Sequence, residues 1–191
     1  MTKNFIGILF AVAAVTFVSS VPAAAQRDSM TEAEIELVRD NQDIDKRIDV
    51  LTKMIDRRFA ALGVAVGGWK PTEKDRSKWG EEPVGTRSEL LWDIRQLLQK
   101  AIDDIDVVAL HNENTLTQNK TSGPLFPKGV RSLAAAAARY LPPLESLAAA
   151  AKDEREKGLV LTSIESCKAI LESVTNLPPE TKPEKKKGKA S

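Results

Sequence analysis

The chain contains one histidine, one cysteine and one tyrosine, and aromatic residues make up only 5% of it. A Ser-His-Asp or Cys-His arrangement would have to use His111, and no G-x-S-x-G accompanies it. CxxC, CxxCH, HExxH, ExxH, Walker-loop and GxGxxG patterns are all missing. At motif level this excludes c-type haem attachment, zinc-protease chemistry, the carboxylate di-iron bundle and the common nucleotide sites. A lone Cys167 leaves no intramolecular disulfide. Cys167 falls on an apolar helical seam and reads as a buried structural thiol. His111 falls near the polar end of a helix and reads as an ordinary surface side chain. The sequence therefore calls for no catalytic residue, no cofactor and no metal.

No excess of one charge is present either: 28 basic residues face 27 acidic ones. A nucleic-acid partner is not expected, because such partners leave a concentrated basic face. The one basic run, "KPEKKKGKAS", ends the chain after Pro178-Pro179 and has no apolar residue with which to fold. Residues 178–191 read as a disordered basic tail, with weak attraction to an anionic surface as the lesser role. Asp40, Asp43, Asp45 and Asp49, with Asp103, Asp104 and Asp106, are spaced along helices among basic residues. They read as solvated faces, not as a converging calcium loop.

The first residues carry a recognisable signal. Lys3 precedes an apolar run from Phe5 to Val18, and Ala23-Ala24-Ala25 supplies small residues at a cleavage point. The run is shorter than the roughly 20 residues that cross a bilayer. The expected product is a periplasmic or secreted chain starting at Gln26, the rival being an N-terminally membrane-anchored one. With so few aromatics, its core must be Leu, Ile, Val and Ala, which favours packed helices over a sheet sandwich.

Three long helical patterns are visible. The first starts at Thr31, which has capping-box spacing to Glu34. Its seam runs Leu37, Asn41, Ile44, Ile48, Leu51, Ile55, Arg58 and Leu62, in alternating steps of four and three. Gly63 is a plausible stop. The second starts at Thr86, with Glu89 three residues on, and runs through Leu91, Ile94, Leu98, Ala101, Ile105 and Val108 to Asn112. If these two helices are antiparallel with Leu62 level with Leu91, Asn41 and Asn112 face each other and fix the register. That pairing satisfies the seam within one chain and favours a monomer. The third pattern repeats "SLAAAA" at Ser132 and Ser146, two heptads apart, across Pro142-Pro143. It reads as a kinked rod or as a tight hairpin, and the unbroken register favours the rod. A shorter helix follows Gly158, with seam Val160, Ile164, Cys167, Leu171 and Val174.

The expected fold is all-α: an up-and-down bundle of three long helices, the third kinked at Pro142-Pro143, plus a short C-terminal helix. Residues 1–25 are the signal, 26–177 the bundle domain and 178–191 the tail. The least ordinary segment is the long connection 63–85, "GVAVGGWKPTEKDRSKWGEEPVG". It exceeds the roughly 12–15 residues usual for a structureless loop. Trp69, Arg76 and Trp79 within it are the partner-binding candidates, since Trp and Arg on loops concentrate binding energy. The competing reading is that both indoles pin the loop over the bundle end. Trp92, inside the second helix, reads as structural.

The function these features imply is an exported, non-enzymatic helical bundle working through protein–protein contacts. Its partner would be an envelope or secreted protein, and its role that of adaptor, scaffold or chaperone-like component. A small-ligand-binding sensory bundle is the alternative, and an unmarked hydrolase stands third.

Overall fold

The computed structural model describes residues 28–111, 118–119 and 123–178. The expected signal segment, Asn112 and the tail from Pro179 lie outside them. The described fold is all-α, apart from a two-residue antiparallel ladder pairing Gln118–Asn119 with Gly123–Pro124. Helix α1 spans Glu32–Asp40, α2 Ile44–Ala61, α3 Glu73–Trp79, α4 Arg87–His111, α5 Leu125–Ala149 and α6 Glu154–Ser173, followed by a 3-10 turn at Val174–Asn176.

The first long helix expected from the sequence is two helices that fold back on each other. Glu34 meets Arg58 directly, whereas in one straight helix residues 24 apart would lie about 36 Å from each other. The reversal occurs at Asn41–Asp43. Asn41 leaves helical geometry and its amide donates to the Leu37 carbonyl at 2.7 Å, closing α1. Asp43 is the extended residue before α2. Asn41 is thus committed to its own helix end and is not part of a buried seam.

Four helices then pack side by side. Arg47–Asp104 at 3.9 Å and Arg58–Asp93 at 3.7 Å set α4 antiparallel to α2. Lys128–Asp45 at 2.6 Å and Tyr140–Asp56 at 2.9 Å set α5 parallel to α2. A turn after Ala149 returns α6 along α5. Arg87 and Glu156 bring the first turns of α4 and α6 together. α2 packs on α4 and α5, and α6 packs on the same two. Ile48, Leu51, Ile55, Leu91, Ile94, Leu98, Leu133, Tyr140, Leu144, Val160 and Cys167 fill the space between them. Each such side chain contributes roughly 1.5–3 kcal/mol by leaving water.

α5 runs unbroken through Pro142 and Pro143, so the hairpin alternative is not the one adopted. Pro142 is exposed, and so is Ala138 four residues earlier, which leaves the carbonyl that loses its donor on the watery side. The last helix is longer than the sequence suggested. It begins at Asp153, whose carboxylate accepts from Glu156 N at 2.7 Å, and Gly158 lies inside it. Asp45 and Asp104 are not solvated: Asp45 is buried against Lys128, and Asp104 sits between Arg47 and Lys100. Trp92 is only half-buried. Cys167 is fully buried, and burial pushes its thiol up to about 12.

Candidate functional site

The connection between α2 and α4 is a built structure. Gly63, at φ 73°, turns the chain off α2, and Val64 and Val66 pack down onto the core. At Gly68 the backbone lies so close to the Asp56 and Arg139 side-chain ends that a Cβ would fall 2.2 Å from Asp56 Oδ2 and would have to displace both. The next amide, Trp69 N, donates to that oxygen at 2.7 Å. Asp56 Oδ1 accepts from the Tyr140 hydroxyl at 2.9 Å and from Arg139 Nη1 at 3.3 Å. Arg139 also donates to the Val66 carbonyl at 3.2 Å. One buried carboxylate on α2 thereby ties down α5 and the start of the connection. Burial first, and the Asp56 charge second, raise the Tyr140 phenol well above its ordinary range.

The middle of the connection, expected to be irregular, forms α3. Thr72 and Asp75 make a reciprocal capping box: Thr72 N donates to Asp75 Oδ2 at 2.8 Å, and the Thr72 side chain accepts from the Asp75 backbone. The Thr72 hydrogen bonds hold the Asp75 carboxyl below the usual carboxylate range. Gly80, at φ 65°, ends the helix and donates to the Arg76 carbonyl at 3.0 Å.

Of the three candidates named from the sequence, two are brought together and the third stands apart. Trp69 and Trp79 pack against each other with ring centroids 4.8 Å apart and ring planes tilted by 40°. Lys53 lies 5.8 Å over Trp69, and the Arg57 guanidinium 5.7 Å over Trp79. Trp79 is only 4% exposed, which removes it as an exposed anchor. Trp69 is half-buried. Arg76 is exposed, with Glu73 at 3.4 Å, and faces a cleft of about 490 Å³ that it lines with Gly80, Glu81 and Glu82. A neighbouring cleft of about 340 Å³ shares Gly80–Glu82 and extends to Asp28, Glu32 and Val84.

Beneath these clefts lies an ionic cluster that the sequence reading did not single out. Glu34 is wholly buried. Its carboxylate meets Arg57 Nη1 at 2.5 Å, Arg58 Nη2 at 2.6 Å, and Arg58 Nη1 as well. Arg58 also donates to the Ser29 carbonyl at 2.7 Å and faces Asp93 on α4. Arg57 donates to the Glu81 carbonyl. Desolvation lowers the Arg57 pKa, opposed by the adjacent Glu34 charge. Two guanidiniums and two carboxylates are thus held in a buried site, which demands good geometry. The cluster fastens α1, α2, α4 and the end of the connection at one point. Its one visible signal is Arg58, the charged residue on the first helical seam.

Among the described residues, no three His, Cys, Asp or Glu side chains are grouped so as to hold a metal ion, and no helix is long and apolar enough to cross a membrane. Neither a protein-family model, nor a curated protein, nor a solved structure matches this chain.

Proposed function

We propose that this is an exported, non-enzymatic helical-bundle protein that acts through protein–protein contact as an adaptor, scaffold or chaperone-like part of an envelope assembly. Export follows from the leader, with cleavage after Ala25. The recognition surface is the outer side of α3 and its adjoining clefts, centred on Arg76. The observation that carries this reading is the rigidity given to an exposed, charge-rich segment. Asp56, the Trp69–Trp79 contact and Arg57 of the Glu34 cluster hold the connection at three points. A surface ordered before binding loses less entropy on association, and arginine is a favoured anchor.

A small-ligand sensory bundle would place its site between the helices. The groove between α4, α5 and α6, lined by Ile102, Ile105, Leu133 and Ile170, measures about 250 Å³. That falls below the roughly 300–1,000 Å³ of ligand pockets, which favours the contact reading.

The test is capture from native envelope extract with the exported chain as bait, beside Arg76→Glu. The expected result is one discrete partner, lost with Arg76→Glu while the melting temperature stays within about 3 °C. Equal recovery of the partner by both baits would move the surface elsewhere.

A further inference from the structure

We propose that α1 is an exchangeable arm, which a second copy of this chain accepts in the same place that the first copy uses. Three observations converge on this. The apolar register of α1 and α2 is continuous: Leu37, Ile44, Ile48, Leu51 and Ile55 keep helical heptad spacing straight across the reversal. The sequence therefore supports a straight α1–α2 helix as well as the folded-back form. The hinge is only Asn41–Asp43, close to the lower limit for a helical hairpin, and short hinges favour exchange between copies.

The contacts that hold the arm are also transferable. Glu34 to Arg57 and Arg58, and Leu37 into the core, join residues on either side of the hinge. They form equally well between two chains. What holds the arm on its own chain is local to the hinge: Asn41 to the Leu37 carbonyl at 2.7 Å, Arg47 Nε to the Asn41 carbonyl at 3.1 Å, and Arg47 Nη2 to Gln42 at 2.6 Å.

The third observation is where a straightened arm would go. It would leave past the end of the bundle formed by the start of α2 and the end of α4, which Arg47–Asp104 brings level. That end carries exposed apolar groups. Leu110 is 82% and Val107 54% exposed, and the groove lined by Ile102, Ile105, Leu133 and Ile170 opens beside them. Two copies exchanging arms about a two-fold axis would set these ends against each other. Leu110, near the end of α4, would then be covered by the second copy. The sequence alone favoured a monomer; the structure supplies the route to a dimer.

The test uses the full chain as an exporting host releases it, with mass read by light scattering. In Asn41→Ala/Gln42→Ala/Asp43→Ala the hinge contacts made by the Asn41 and Gln42 side chains are gone and the link favours helix. The expected mass is twice that of the monomer. A helical, folded variant that stays monomeric at every concentration overturns the proposal. Should that variant lose its helicity, a charge-exchanged pair decides. Glu34→Arg in one chain and Arg57→Glu/Arg58→Glu in another each place like charges together in the closed form. Refolded together they form a one-to-one dimer in which both arms meet opposite charges, and refolded apart they do not. A mixture that remains two separate species excludes the exchange.

Discussion

The Tyr140 hydroxyl, with one proton to donate, lies 2.9 Å from Asp56 Oδ1 and 3.0 Å from the Thr52 carbonyl, joining the middle of α5 to α2. Tyr140 is the only tyrosine in the chain, so tyrosinate absorbance reports on this contact alone. Its pKa is raised in the folded state, so the contribution is complete below about pH 10 and declines as pH rises above it, where the unfolded chain releases the proton first. No tyrosinate signal should develop near pH 11 until the helices unfold, and then it should appear in full. A signal rising at the ordinary pKa in a folded sample would contradict the buried contact. Tyr140→Phe should cost about 1–3 kcal/mol in urea unfolding.

The two indoles of the connection should differ in kind. Trp79→Ala removes a buried ring, its tilted packing on Trp69 and its contact with Arg57, and should cost about 3–5 kcal/mol. Trp69→Ala trims a half-buried ring and should cost about 1–2 kcal/mol. Denaturant midpoints compare them directly. Equal small losses would return Trp79 to the surface.

Glu34→Ala leaves Arg57 and Arg58 facing each other without their shared carboxylate, at an expected cost of about 3–5 kcal/mol. A double-mutant cycle with Arg58→Ala should give a coupling of about 1–3 kcal/mol. Additive losses would mean that the arm is not held by this pair.

Pro142 stands exposed inside a continuous helix. Pro142→Ala restores a backbone donor, and the gain outweighs the extra freedom of the unfolded chain. Stability should rise by about 1–2 kcal/mol, read as a higher melting temperature. A fall would mean that the proline geometry is needed by the packing.

Sequence spacing located the helix starts well where a cap is purely local. Thr31 with Glu34 and Thr86 with Glu89 both form the capping contacts their spacing implies. The start of α3 carries the same device with Asp75 in the acidic position, a shorter side chain than the usual Glu and so a weaker sequence signal. The reversal at Asn41 was hidden because periodicity records which face is apolar, not whether the chain turns back to bury it. Glu34 shows why the site was hard to see: one carboxylate caps Thr31 three residues away and also joins two arginines on another helix. Only the second role creates the cluster, and it depends on the turn at Asn41–Asp43.

The claim that the outer side of α3 is the recognition surface is tested most directly by photo-crosslinking in the native source, with the reactive group placed at Arg76 or, as a control, at exposed Ala138 on α5. One discrete adduct is expected from position 76 and none from position 138. Adducts of the same pattern from both positions, or none from position 76, would contradict it.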